Sequence, residues 1–335
     1  MAKTSLWSLL KSLSGKFSSR ETPYQYQPLA SNIEVVNFWP TQRSEDLWLY
    51  LFVTSRLGEL IDADNTMLLA SVFGPRHYIS ESPSKIKIFY TGENVDRFPK
   101  YKDHCLDIVD LSFGFEYLQA PNYMRLPLWP SFVFRANADQ REIQTEMDRI
   151  MNAIRSTPPA SEHFCSLISS HDKSGVRSKL MKSLSGIGHI DSAGKFKNNC
   201  NALKEKYNDS KIDFMHNYQF NICPENTNKD GYVTEKVFEA IKAGTIPIYW
   251  GSNGRPEPEV LKQEAILFYN GPGSVKGLQQ EVARLRQHPK QYEEFRNQDR
   301  FQPHAAEYLA EMLHTAEMKI RKIIKEKNAL SGKWN

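Results

Sequence analysis

YQFNICPENTNKDGYVTEKVFEAIKAGTIPIYWG, residues 218 to 251, alternates two apolar runs with one amphipathic segment. Tyr218 to Cys223 is rich in aromatic and β-branched residues and is closed by Pro224, which predicts a β-strand. Val237, Phe238, Ala240 and Ile241 then share one face at helical spacing, Glu239 and Lys242 take the other, and Gly244 stands where a helix ends. Ile246 to Trp250 predicts a second strand. Strand, helix and strand make a βαβ unit, and in a parallel sheet the loop after its first strand lies on the ligand-binding edge.

That loop and the start of its helix hold Glu225, Asn226, Tyr232, Thr234, Glu235 and Lys236. A carboxylate accepts hydrogen bonds from sugar hydroxyls, an ammonium meets phosphate, and a helix N-terminus adds unpaired N–H groups and partial positive charge. A solvated helix start capped by Thr234 is the plain alternative. The full string decides between them: ENTNKDGYVTEK followed by AGTIPIYWG resembles the donor-binding motif of the α-1,3-fucosyltransferases, glycosyltransferase family ten.

The resemblance implies inverting transfer of L-fucose from GDP-β-L-fucose to the 3-hydroxyl of an N-acetylglucosamine or glucose unit of an oligosaccharide or glycolipid. It implies a GT-B architecture, two Rossmann-like α/β domains facing each other across a cleft. FYTGEN, residues 89 to 94, is similar to the family's N-terminal motif and makes Glu93 the general base. FCSLISSHDKSGVR, residues 164 to 177, resembles the segment whose arginine grips the donor diphosphate, here Arg177, with Ser169 and His171 as further candidates. By the same resemblance Glu235 and Lys236 meet ribose and phosphate, and Glu225, Asn226, Tyr232, Val233 and Thr234 complete the donor set. DSAGK, from Asp191 to Lys195, resembles a family pattern more loosely. Arg125, within NYMRLPLWPSF, and Asn37 are assigned to the acceptor side. Two rivals are a transferase for another nucleotide sugar and an inactive sugar-nucleotide-binding module.

Composition sets outer bounds. A chain of 335 residues with 40% hydrophobic and 24% charged residues has enough apolar surface for two cores and is not disordered. A net charge of +4 tolerates an anionic ligand without pointing to nucleic acid. Cys105, Cys165, Cys200 and Cys223 show no CxxC pairing and are expected as reduced thiols. With no long apolar window, the expected location is the cytoplasm. Residues 1 to 30 begin with a basic amphipathic pattern, Lys3, Lys11, Lys16 and Arg20 against Leu6, Leu9, Leu10, Leu13 and Phe17, compatible with peripheral contact on an anionic inner membrane.

Along the chain, strands are expected at 33 to 39, 66 to 73, 85 to 90, 164 to 169 and 265 to 269. Helices are expected at 45 to 60, 139 to 155, 175 to 184, 276 to 288 and 305 to 325. Pro158 and Pro159 suggest a boundary. The expected layout is therefore an acceptor-binding domain at 31 to 157, a GDP-fucose-binding domain at 158 to 303 and a C-terminal amphipathic helix at 304 to 335. Asp62-Ala-Asp64 matches the short DxD pattern of metal-dependent transferases, but it falls between a helix and a strand. The reading therefore assigns no metal residue and no required cofactor, with Mn²⁺ or Mg²⁺ at most stimulatory.

Overall fold

The computed structural model describes residues 32 to 39, 42 to 158 and 163 to 330. The N-terminal basic segment lies outside them. Among the described residues, two five-stranded sheets, parallel throughout, organise the fold.

The first sheet comprises β1 (Ile33–Val36), β2 (Met67–Ala70), β3 (Ile86–Tyr90), β4 (Leu111–Gly114) and β5 (Tyr123–Arg125), in that spatial order. Every residue of β2 and β4 is buried, the pattern of strands covered on both faces. Helix α1 (Trp48–Leu57) connects β1 to β2. The second sheet comprises β6 (His163–Leu167), β7 (Ile190–Ser192), β8 (Tyr218–Pro224), β9 (Ile246–Trp250) and β10 (Leu267–Phe268). Its spatial order is β10-β9-β8-β6-β7. The chain winds outward from β6 to β7, then crosses back to lay β8 on the other side of β6. The order therefore reverses between β6 and β8, and ligands of open α/β sheets bind at such a reversal, outside the carboxyl ends of the strands.

Helices α2 (Gln140–Ser156), α3 (Val176–Leu184), α4 (Lys211–Met215), α5 (Glu235–Lys242), α6 (Val275–Gln287), α7 (Pro289–Arg296) and α8 (Ala305–Leu330) complete the scaffold. In the second unit, Leu180 and Leu184 of α3 and Val282 and Leu285 of α6 pack with Phe220, Ile222, Ile246 and Ile248 in one core.

The division into units departs from the expected boundary at residue 157. Arg141–Ala306 form one compact unit, and the described residues up to Gln140 form the other together with Glu307 onward. Helix α2 therefore belongs with the second sheet. Its buried stripe is Ile143, Met147, Ile150, Met151 and Ile154, at the spacing of one helical face. Arg296 of α7 fixes its end, donating from Nη1 to the carbonyls of Ile154 (2.7 Å) and Thr157 (3.1 Å) and from Nε to Gly244 (3.0 Å). A cation on the last carbonyls of a helix satisfies orphan acceptors and complements the dipole. Conversely, α8 joins the first unit: Arg321 meets Glu59 (3.0 Å) and the Arg56 carbonyl (2.6 Å), and Lys327 meets Asp110 (2.7 Å).

Among the described residues no helix is long and apolar enough to cross a membrane. The four cysteines are unbridged, with Cys105, Cys165 and Cys223 buried and Cys200 half-buried.

Candidate functional site

The loops after β6 and β8 meet at the reversal of the second sheet. Glu225, the first residue past β8, is fully buried and its backbone N–H donates to the Trp250 carbonyl (2.8 Å). Its carboxylate accepts from the Thr234 N–H (2.8 Å), the Thr234 hydroxyl (2.7 Å) and Lys236 Nζ (3.1 Å). Both oxygens are thus spent on the start of α5. Glu225, expected to touch the donor, instead ties the loop into a closed turn and anchors Lys236. Thr234 precedes α5 but forms no side-chain cap, because its hydroxyl points to Glu225. Tyr232 and Val233, also expected in the donor set, are buried beneath this turn.

Lys236, with its side chain 20% exposed, sits between two carboxylates, Glu225 at 3.1 Å and Glu235 at 3.6 Å. Burial opposes its charge, but the carboxylates of Glu225 and Glu235 outweigh it and hold the ammonium well above the ordinary lysine value. Glu235 is pushed the other way. Burial disfavours its ionised form, yet Lys236 and Lys211 together lower it below the usual carboxylate value.

Arg177 reaches the same turn from α3. Asp172 starts that helix by accepting from the backbone N–H groups of Arg177 (3.0 Å) and Ser178 (2.9 Å). The guanidinium donates to the His171 carbonyl (2.7 Å), the Asn226 Oδ1 (3.0 Å) and the Pro224 carbonyl (3.4 Å), while its buried Nε lacks an acceptor. Burial lowers its pKa. The expected fork on phosphate is thus engaged with protein acceptors, and Nε–H is the donor left over. Lys236 and Arg177 are both held by three consecutive residues, Pro224, Glu225 and Asn226.

Ser169 donates to the His171 carbonyl (2.9 Å) and shapes the loop after β6. The looser motif from Asp191 to Lys195 gains a reason here, because a Cβ on Gly194 would lie 2.0 Å from the Ser169 carbonyl oxygen. Gly194→Ala should therefore cost about 1 to 3 kcal/mol through overpacking, measured as a lower urea midpoint. An unchanged midpoint would mean that the two loops do not pack this closely.

On the first unit, Glu93 follows β3 at the carboxyl edge of its sheet. Its N–H donates to Thr91 Oγ1 (3.0 Å), and Asn94 accepts from Asp96 N–H (3.1 Å) to begin the next turn. A Cβ on Gly92 would fall 2.4 Å from Leu128 Cβ, so the glycine of FYTGEN permits the close approach that sets the loop. The Glu93 side chain is 19% exposed and pairs with Arg97 (3.0 Å).

The two acceptor-side candidates separate. Arg125 ends β5, donates from Nε to the Phe115 carbonyl (3.0 Å) and stacks 4.7 Å over the exposed Tyr117 ring. Asn37 does not reach a surface. It is 3% exposed at φ 60°, and its Nδ2 donates to the Pro75 carbonyl (2.9 Å) and the Tyr101 hydroxyl (3.2 Å). This local structural role replaces the expected one, since both N–H groups are already used. In the Asp62-Ala-Asp64 pattern, Asp62 Oδ1 accepts from the N–H groups of Asp64 (2.8 Å) and Asn65 (2.9 Å), an Asx turn that explains the residue without a ligand.

Two features lay outside the sequence reading. One is Lys211 of α4, which meets Glu239 at 3.0 Å and Glu235 at 3.9 Å. The other is a pocket of about 260 Å³ at the ends of β8, β9 and β10, lined in part by Asn228, Trp250, Asn253, Tyr269 and Asn270. Left-handed backbone at Asn253 (φ 51°) and Gly254 (φ 74°) turns the loop that forms it, and Asn228 Oδ1 accepts from the Asn253 N–H (2.7 Å). No sequence signal marked it, because the left-handed backbone of Asn253 is not written in a residue name.

Comparison with known proteins agrees with both halves. Residues 158–328 match "Glycosyltransferase family 10 (fucosyltransferase) C-term", and residues 33–132 match "Alpha-(1,3)-fucosyltransferase FucT N-terminal domain". The chain is similar to the Helicobacter pylori alpha-(1,3)-fucosyltransferase FucT, 27% identical over 264 residues, covering 71% of this chain and 52% of that protein. It is also similar to an Arabidopsis thaliana alpha-(1,4)-fucosyltransferase, 32% identical over 117 residues, covering 34% of this chain and 29% of the relative. The chain thus spans about half the length of the Helicobacter protein. A crystal structure of an α1,3-fucosyltransferase superposes with TM-score 0.63 at 19% identity, covering 88% of this chain and 89% of the other. One with GDP-fucose gives 0.61 at 20% identity, covering 92% and 94%. These structures establish the fold as GT-B. Matched by the family's own signature from residue 158 through the second sheet and into its last helix, the chain belongs to glycosyltransferase family 10.

Proposed function

We propose that this chain is an inverting α-1,3-fucosyltransferase, moving L-fucose from GDP-β-L-fucose to the 3-hydroxyl of an N-acetylglucosamine or glucose unit of an oligosaccharide or glycolipid. The observation that carries the reading is the pair of cations, Lys236 and Arg177, held by Pro224, Glu225 and Asn226 where the strand order reverses. Such a site suits a nucleoside diphosphate, and the family membership selects the fucosyl donor.

In the proposed reaction the Glu93 carboxylate takes the proton of the acceptor hydroxyl as that oxygen attacks C1 of fucose. The bond from C1 to the phosphate oxygen breaks, and GDP departs with the electron pair. Its growing charge is met by Lys236, the Nε–H of Arg177 and the N-terminal turn of α5. Glu235 receives the ribose hydroxyls. The Glu93–Arg97 pair keeps the carboxylate in place until the acceptor arrives. Product analysis by NMR tests this directly, with GDP-fucose and an acceptor panel of N-acetyllactosamine and lactose. A 3-linked α-fucoside is expected. Transfer only from another sugar nucleotide, or GDP binding without any turnover, would refute the assignment.

The cations on the diphosphate also make a divalent metal dispensable in this proposal. Activity should largely persist in EDTA, and Mn²⁺ or Mg²⁺ should stimulate by pairing with released GDP. Complete loss in EDTA, restored by metal and abolished in Asp64→Ala, would transfer the role to the DxD pattern.

A further inference from the structure

The charges beside the proposed donor site form a line of five. Glu225 and Lys236 are 3.1 Å apart, Lys236 and Glu235 3.6 Å, Glu235 and Lys211 3.9 Å, and Lys211 and Glu239 3.0 Å. Signs alternate along the whole line. No side chain in it is more than 20% exposed, so water screens these contacts weakly. Four members lie on the β8 loop and α5. The fifth, Lys211, comes from α4 and belongs to none of the motifs read above.

We propose that Lys211 is a positioning residue of the donor site, holding Glu235 in place and, through Glu235, setting the orientation of Lys236 toward the nucleotide sugar. The proposal rests on the donor-site reading given above. Glu235 stands in the first turn of α5, where Lys236 is shared with fully buried Glu225. Without Lys211, Glu235 competes with Glu225 for a single ammonium, and Lys236 is drawn toward Glu235. A buried carboxylate left short of a partner moves its neighbours or its proton.

The line also has one acid too many, three carboxylates to two lysines. The surplus falls on Glu239, which burial pushes up to about 7, with Lys211 opposing the shift and Glu235 adding to it. Burial lowers the pKa of Lys211, and the carboxylates of Glu239 and Glu235 partly offset this. Charged groups facing Glu239 are Lys211 from α4 and Glu235 and Lys236 from its own helix, while Lys242 senses both Glu239 and, on α2, Glu146 and Arg149. When Glu239 is protonated, Lys211 is released to Glu235. When it ionises, it holds Lys211 back and adds a negative charge near the diphosphate. An anionic ligand therefore favours the protonated form, and GDP affinity should fall as pH rises through about 7.

The test is calorimetric GDP binding by the full chain between pH 6 and 8.5, alongside kcat and KM for GDP-fucose, in wild type, Lys211→Met, Lys211→Arg and Glu239→Gln. Lys211→Met should weaken GDP binding and raise KM about tenfold, the loss of one charge-assisted contact, with kcat much less changed. Lys211→Arg should recover most of that loss, and Glu239→Gln should flatten the pH dependence of binding. Wild-type affinity in Lys211→Met, or an arginine variant as impaired as the methionine one at equal thermal stability, would overturn the proposal. So would an undiminished pH dependence in Glu239→Gln. If Lys211→Met does not fold, the arginine and glutamine variants still decide. Lys236→Met separates the two levels: unchanged GDP affinity there sinks the donor site itself, whereas loss there beside a neutral Lys211→Met sinks only the positioning role.

Discussion

Glu93→Gln should lower turnover by about 10² to 10⁴-fold, the usual contribution of a positioned general base, with GDP affinity unchanged. The amide keeps the shape of the carboxylate and can still face Arg97, so the loop set by Thr91 Oγ1 and by the approach of Gly92 to Leu128 has no reason to move. Only basicity is lost. Glu93 belongs to the first sheet and the proposed GDP site to the second, so the two readouts are independent. Initial rates with GDP-fucose and acceptor, together with GDP calorimetry on the same preparation, distinguish the outcomes. Near-normal turnover places the base elsewhere, and lost GDP affinity points to a fold defect.

Lys236→Met should lower kcat/KM for GDP-fucose by about 10 to 150-fold, the equivalent of about 1.5 to 3 kcal/mol for a charge-assisted hydrogen bond. It should also destabilise the unit, for a separate reason. Glu225 is fully buried, and without the ammonium its carboxylate is left with the Thr234 donors alone. The double variant Glu225→Gln with Lys236→Met separates the effects: thermal stability should rise toward wild type while donor use stays low. Full recovery of donor use in the double variant would show that Lys236 acts on the fold and not on phosphate. Arg177→Ala should combine the same two losses, since three protein acceptors, on His171, Pro224 and Asn226, lose their donor.

The βαβ unit could be read from the residues because each of its parts is a local pattern. Its second strand keeps the predicted bounds, and its first gains only Pro224. Strands β4 and β5 were less distinct, a pair of short segments within an aromatic, proline-rich region that composition describes only as loops and short strands. Helix α2 shows what periodicity withholds. The stripe from Ile143 to Ile154 announces a buried face, but an apolar face carries no address, and Arg296, which fixes its end, is distant in sequence.

At the site, residue types were legible and their duties only partly so. A glutamate beside a lysine predicts a charged pocket, whereas which carboxylate is spent inside depends on the turn that brings Thr234 back to Glu225. The residue name of Asn37 does not show its burial, which comes from a left-handed backbone and the close approach of the loop at Gly74. Lys211 lacked any motif, and only the packing of α4 beside α5 brings it to Glu235.

The exchange of helices between the two units governs how the protein can be divided. A cut at Pro158, the obvious place by sequence, would take α2 away from the second sheet, expose its apolar stripe and leave Arg296 with the Gly244 carbonyl but without those of Ile154 and Thr157. Among the described residues the second unit runs without a break from Arg141 to Ala306, and that stretch is the fragment to express for nucleotide binding alone. The first unit is discontinuous, so to stand alone it needs a graft that joins Gln140 to Glu307 and so returns α8 to Glu59 and Asp110.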